Sequence, residues 1–402
     1  MEPDTPALRI EPPGFLAEPA LRAVLAALPI ARVVGGAVRD ALLGLDVHDV
    51  DLATPLQPDA VIAALRAAGL KSAPTGLAHG TVTAIAHHRG FEVTTLRRDV
   101  ATDGRHATVA FTADWREDAA RRDFTINALS LTPDGAVFDY FNGIADLRAG
   151  RVRFVGDAAT RIREDYLRIL RFFRFQARYG SGTPDPDALA GVAANLDGLA
   201  RLSAERVWSE LRRILAAPDP TGTVDLMARL GVLAAVLPEG VDPSRLAMLQ
   251  SSGAPADALL RLAALLAGDP AKVAERLKLS NTERDRLLTL KSAPAPAPAD
   301  DDDELRRKLA VTAPDILIGR AWLAGTPDSV WTTLRSRLAA MPRPVFALEG
   351  RDALALGIPS GPQVGALLRQ VRDWWLAQGC RPGTDACRAE LQRRAAGLPA
   401  PP

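Results

Sequence analysis

The chain has 402 residues, 48% of them hydrophobic, and a formal net charge of +1. That length suits two to four modules, and the near-neutral balance excludes an overall positive field, so any polyanion contact must come from local patches. The two cysteines, Cys380 and Cys387, make neither a disulfide framework nor a zinc pattern, and no apolar run reaches the roughly 18–20 residues of a membrane helix. The start is acidic and proline-rich, without the basic region of a secretory signal. The expectation is a cytoplasmic protein with free thiols, no membrane association and no evident obligate protein partner.

Short apolar runs punctuated by glycine and proline predict strands at 31–34, 47–53, 81–87, 92–96, 107–111 and 136–138. Helical patterns fill the gaps at 37–43 and 58–68, with a short helix ending at 128–129. From about Asp157 the strand signals nearly stop. Helices are predicted at 159–179, 204–216, 223–230, 256–266, 271–277, 281–290, 304–309, 313–323, 329–340 and 363–378. The segment 292–303, SAPAPAPADDDD, reads as a solvated linker. The fold class is α+β. A mixed α/β head spans 1–156, followed by an all-helical remainder: a neck at 157–222, a body at 223–291, the linker, and a tail at 304–402.

The segment 33–53 reads VVGGAVRDALLGLDVHDVDLA. A strand runs into Gly35 and Gly36, a short helix follows, and a second strand carries Asp49 and Asp51. Residues two apart on a strand share a face, so both carboxylates project the same way and repel each other unless a cation sits between them. Mg²⁺ takes oxygen ligands and leaves sites for water and phosphate. A metal-holding pair of this kind suits phosphoryl transfer. Alone, Asp-x-Asp reads as a polar strand edge. The glycine turn supplies amides at a helix N-terminus, a natural phosphate cradle, and Arg39 on that helix is within reach of a triphosphate. His48 falls on the opposite strand face, which argues against a His-Asp metal phosphohydrolase.

Four segments then occur in order. Gly35-Gly36-Ala37-Val38-Arg39-Asp40 with Asp49-Val50-Asp51 comes first, and Arg121-Arg122-Asp123-Phe124-Thr125-Ile126-Asn127-Ala128 second. Glu164-Asp165-Tyr166-Leu167-Arg168-Ile169-Leu170-Arg171 and Glu205-Arg206-Val207-Trp208-Ser209-Glu210-Leu211 follow. Together they resemble the motifs of the bacterial class II CCA-adding enzyme and poly(A) polymerase family. The resemblance runs from about Val33 to Leu215, with a weaker likeness at 350–368. It implies a polymerase-β-like nucleotidyltransferase head with helical neck, body and tail. It also implies transfer of CMP and AMP from CTP and ATP to an RNA 3′ end, with Mg²⁺ as cofactor and the tRNA 3′ end as acceptor.

Within this frame, Arg121 and Arg122 suit phosphate oxygens. Asp123 and Asn127, four apart, are expected on one helical face, Asn127 toward sugar or triphosphate and Asp123 orienting the arginines. Asp165 and Arg168 are read as neighbours on one helix, with Glu164 steadying Arg168. Cytosine and adenine both present an exocyclic amine beside a bare ring nitrogen. An aspartate accepts from the first and an arginine donates to the second, whereas guanine and uracil reverse both contacts and leave buried groups unpaired. Arg171 and Arg174 extend the basic surface toward RNA. Glu92, on a neighbouring strand, is a candidate third carboxylate at the metals. Arg105, in the 103–106 loop, resembles part of the flexible loop that serves the switch to ATP. Gly361, in a glycine-rich turn before a helix, is a candidate RNA-backbone contact. The chain ends without a basic extension, which favours CCA addition over poly(A) synthesis. Partial CC- or A-addition, an inactive RNA-binding descendant and a small-molecule transferase stay as alternatives.

Overall fold

The protein is described by a computed structural model covering residues 5–102, 107–326 and 328–396. Its internal contacts divide it into two units, Met1–Val236 and Leu237–Pro402.

The described residues of the first unit form ten strands: β1 (Leu8–Arg9), β2 (Arg32–Val34), β3 (Asp51–Thr54), β4 (Lys71–Gly76), β5 (Thr81–Ala86), β6 (Arg89–Thr95), β7 (Arg97–Thr102), β8 (Ala107–Phe111), β9 (Leu129–Leu131) and β10 (Ala136–Asp139). Eight form one sheet in the order β1-β10-β9-β2-β3-β6-β5-β4, and β7 and β8 form a separate ribbon. β3 and β6 run parallel, and the other pairings are antiparallel, so the sheet is mixed. The sequence TVTAIA of β5 alternates as a half-buried strand should, with Val82, Ala84 and Ala86 inward. They join Val33, Leu52, Val93 and Val137 in one core under the Pro19–Ala27 and Pro58–Ala67 helices.

Three departures from the predicted elements concern the site. β3 begins at Asp51, not at residue 47. Its partner β2 is only three residues long, and the last pairing is Val34 with Asp51. β2 stops there because Gly35 turns the chain with φ +69°, a conformation that favours glycine. Asp49 therefore lies outside the strand. The short helix expected to end at 128–129 is instead the Trp115–Ala120 helix and a 3₁₀ turn at Thr125–Asn127, and 129–131 is strand β9. The single helix predicted over 159–179 is two, Ala158–Glu164 and Leu167–Tyr179. Asp165 between them is extended at φ −155°, ψ 107°. Its Oδ1 accepts from the Leu167 amide at 3.1 Å, so the side chain replaces a helical backbone acceptor. The Tyr166 ring lies on Gly198, where a Cβ would stand 1.9 Å from ring Cδ1.

The Leu167–Tyr179 and Ala204–Leu215 helices pack together. The apolar face of the former reaches the head through aromatic contacts. Phe124 lies 4.7 Å from Phe154 and 5.0 Å from Phe175, centroid to centroid.

The second unit is helical, and Asp-Pro pairs mark helix starts. Asp242 accepts from the Ser244 amide and Asp269 from the Ala271 amide, each followed by Pro at the first helical position. The same signal starts the unpredicted Pro186–Ala193 helix of the first unit, capped by Asp185. The acidic end of the expected linker is structured. Asp301 caps the Asp302–Val311 helix, Asp300 pairs with Lys308 at 2.5 Å, and Asp303 pairs with Arg306 and Arg381 at 2.5 and 2.7 Å. Four adjacent acids at a helix start find the positive dipole end and basic partners, which composition alone does not reveal. Trp375 is buried against Phe346, a packing role.

Candidate active site

A cavity of about 930 Å³ in the first unit collects most of the predicted site residues. Gly35, Gly36, Arg39, Asp49, Asp51, Arg122, Asp123, Asn127, Asp165, Arg168, Arg171 and Arg174 all line it. Among the described residues nine arginines face it against five aspartates, so a chain of nearly zero net charge carries a strongly cationic cleft. Gly361 belongs to the second unit, exposed at the start of the Pro362–Ala377 helix. Arg105 lies outside the described residues.

Asp51, at the start of β3, and Asp49, just before it, meet at the cavity rather than along one strand. The Asp51 carboxyl is pushed above its ordinary value, first by burial and then by the charges of Glu92 and Asp49, against the opposing pull of Arg122. Glu92 sits on β6 next to Val93, which registers with Leu52 of β3. It thus lies beside Asp51, but it is not among the residues lining the cavity. Among the described residues no group of three or more His, Cys, Asp or Glu side chains is arranged around one metal position. Crowded carboxylate charge with two oxygen-donor side chains at a cleft fits a hard divalent cation that takes its other ligands from water and phosphate.

Behind this pair, the arginines are held by buried carboxylates. Asp118, which sequence reasoning missed, is 2% exposed and grips both members of the Arg121-Arg122 pair. Arg121 donates through Nε and Nη2 at 2.9 and 2.7 Å, and Arg122 through Nη2 at 3.1 Å. Burial alone would raise the Asp118 carboxyl, but the two guanidiniums and the Arg97 amide hold it below its ordinary value. The signal was present in the spacing: Asp118 precedes the arginines by three and four. Asp123 was expected to orient Arg121 and Arg122. Instead it accepts from Arg171 Nε at 2.8 Å, from Asn127 Nδ2 at 3.1 Å and from the Phe124 amide at 2.9 Å. Those partners, Arg171 foremost, outweigh burial and keep it below its ordinary value. The Asp123–Asn127 contact comes from the 3₁₀ turn, not from an α-helical face.

Arg39 is buried and engaged. It donates to Asn127 Oδ1 at 2.6 Å and to Asp40 Oδ1 at 2.9 Å, and its guanidinium lies 4.1 Å from the Tyr179 ring centroid. Tyr179 Oη donates in turn to Asp40 at 3.0 Å. Arg39 therefore fixes the orientation of Asn127. Tyr179, Arg178, Arg206 and Arg213 line the cavity too and were not singled out from sequence.

At the helix break, Arg206 donates to Asp165 Oδ2 at 2.7 Å. Arg168 uses Nη1 to bond the Arg161 carbonyl, at 2.7 Å, and the Glu164 carboxylate. The Glu164–Arg168 pair is thus present across the break, while Asp165 and Arg168 reach the cavity from an extended residue and a first helical turn. Arg174 pairs with buried Glu210 at 3.2 Å, so it is anchored to the neck rather than free on a surface.

Comparison with known proteins bears on this geometry. Residues 31–153 match the Poly A polymerase head domain, and residues 183–242 match the probable RNA and SrmB-binding site of polymerase A. The chain is 39% identical over 382 residues to the mitochondrial CCA tRNA nucleotidyltransferase 1 of Mus musculus, covering 90% of this chain and 86% of that protein. It is 34% identical over 384 residues to the CCA-adding enzyme of Lacticaseibacillus paracasei, covering 90% and 92%. The Bacillus stearothermophilus CCA-adding enzyme in complex with CTP superposes with a TM-score of 0.73 at 26% identity, over 94% of this chain and 98% of that one. With a mixed-sheet head, a helical remainder and relatives of this likeness over nine-tenths of its length, the chain belongs to the CCA tRNA nucleotidyltransferase family of enzymes.

Proposed function

We propose that this protein adds CCA to the 3′ end of tRNA from CTP and ATP, releasing pyrophosphate, with Asp49 and Asp51 holding Mg²⁺. The observation that carries the reading is one cavity joining a carboxylate pair, an anchored arginine array and an Asp–Arg pair at a helix break. Mg²⁺ bound there supplies charge neutralisation for the triphosphate and lowers the pKa of the attacking 3′-hydroxyl.

The chain's own residues do the rest. Arg121 and Arg122, fixed by Asp118, present guanidinium edges to triphosphate oxygens. Asn127, held between Arg39 and Asp123, orients the sugar. Asp165 retains acceptor lone pairs beyond its bonds to Leu167 and Arg206, and these receive the exocyclic amine of C or A. Among the described residues Arg168 bonds its neighbours through Nη1, and its other N–H groups are donors for the ring nitrogen. Arg206 and Glu164 hold this pair at one spacing, so the wrong base meets a fixed mismatch.

The cytoplasm is the compartment we assign. The unbridged Cys380 and Cys387 suit a reducing environment, and no described helix is long and apolar enough to cross a membrane.

The test incubates the protein with tRNA transcripts ending before CCA, each labelled nucleoside triphosphate and Mg²⁺. Ordered addition of C, C and A that then stops is expected. Processive AMP addition to unrelated RNA overturns the reading.

A further inference from the structure

The second unit has a cationic cavity of its own, about 470 Å³, among the Pro243–Ser251, Ala258–Leu265, Asn281–Ser292 and Pro314–Ala324 helices. Arg245, Lys291 and Arg320 line it, and no carboxylate does among the described residues. Lys291 Nζ donates to the carbonyls of Ala263 and Leu266 at 3.2 and 2.9 Å, and Arg320 Nη1 to that of Leu290 at 2.9 Å. Both cations thus cap the C-terminal ends of helices, where positive charge is favoured.

Capping accounts for only part of the arrangement. Each helix end offsets about half an elementary charge, which leaves the charges of Lys291 and Arg320 only partly offset. Arg320 Nε is buried without a hydrogen-bond partner, a costly state for a guanidinium donor. Nearby Arg335, whose guanidinium stands 3.6 Å from the ring centroid of cavity-lining Trp322, leaves Nη1 in the same state. Arg245 sits in the first turn of its helix, the end where the dipole disfavours a cation, and its carboxylate contact, Asp242, is 3.9 Å away. Burial first, then the charges of Arg245 and Arg320, hold Lys291 below its ordinary value. Helix stability explains neither Arg245 nor the unmade donor.

We propose that this cavity is a phosphate-binding site, in which Arg245, Lys291 and Arg320 together receive the oxygens of one phosphate group. The chemistry is shared by inorganic phosphate and by a phosphodiester of an RNA backbone. The proposal does not rest on the proposed function, because binding is read without catalysis.

Inorganic phosphate is titrated by calorimetry, at constant ionic strength, into the full chain and into its Arg245→Gln, Lys291→Gln and Arg122→Gln variants. Arg245→Gln changes an exposed side chain, so it keeps the fold even if Lys291→Gln loosens a helix end. A phosphate-binding component about tenfold weaker in Arg245→Gln, the loss of one charge-assisted bond, and retained in Arg122→Gln, is expected. Absence of such a component in the parent protein, or its persistence unchanged in Arg245→Gln, overturns the proposal. A second arm measures affinity for a tRNA transcript against salt. A weaker affinity and a salt slope lower by about one in Arg245→Gln assign the site to RNA backbone. Unchanged RNA affinity alongside the weakened phosphate component assigns it to a free oxyanion.

Discussion

The two cavities hold their cations in different ways. In the first unit, Arg121 and Arg122 are tied to Asp118, Arg171 to Asp123, Arg174 to Glu210 and Arg206 to Asp165. In the second, Lys291 and Arg320 are tied to backbone carbonyls. A carboxylate partner fixes the direction of a guanidinium and cancels a charge, while a carbonyl fixes position and cancels little. The first arrangement suits a ligand whose charge must be met at defined points as it reacts. The second suits attraction of an anion that stays as it is.

Four tests break or sharpen this contrast. The largest effect is expected at the carboxylate pair. Asp49→Ala or Asp51→Ala should lower single-turnover CMP incorporation by about a thousandfold or more, with tRNA affinity nearly unchanged. Turnover close to the parent rate refutes the metal role. Next, Asp165→Ala should relax discrimination between CTP and UTP by about a hundredfold, read as the ratio of kcat/KM values, while triphosphate affinity changes little. An unchanged ratio removes the base-selecting assignment.

Third, Asp123→Asn should destabilise the first unit by about 2 kcal/mol in urea denaturation. It leaves Arg171 without its counter-charge, a loss that solvent softens because that arginine is partly exposed. Asp123 is depressed below 3.8, so its contribution is full above that pH and is lost as the pH falls below it. The variant should accordingly flatten the acid limb of stability. The smallest effect is in the second unit. Glu390 is lowered from 4.5 to about 2, chiefly by its hydrogen bond to Arg393, against burial and with help from Arg394. Its contribution is full above pH 4.5 and is lost as the pH falls through about 2. Glu390→Gln should remove that component, seen as a slightly flatter melting-temperature profile between those values.

Much of the site was legible because its chemistry is local. The glycine turn, the two aspartates, the arginine pair and Glu164 with Arg168 are close in sequence, and spacing alone brings each set together. Asp118 was equally local, three and four residues before its partners, and was passed over because burial of a lone carboxylate in WREDAARRD leaves no mark in composition. Tyr179 and Arg206 were not legible. Tyr179 meets Asp40 across 139 residues and Arg206 meets Asp165 across 41, and no periodicity encodes such contacts.

By itself the sequence determined the order of the elements, a strand-rich head before helices, because hydrophobic period and turn chemistry act over a few residues. It also determined which residue types gather around the catalytic motifs. Only the tertiary structure decided where β3 starts, since that depends on where Gly35 ends its partner strand. It alone decided that the helix at 159–179 breaks at Asp165, since a side chain there outcompetes a backbone acceptor while Arg206 holds its other oxygen. And it alone decided which acid holds which arginine. Asp123 stands next to Arg122 in the chain and yet binds Arg171, 48 residues on, while the arginine pair is held by Asp118.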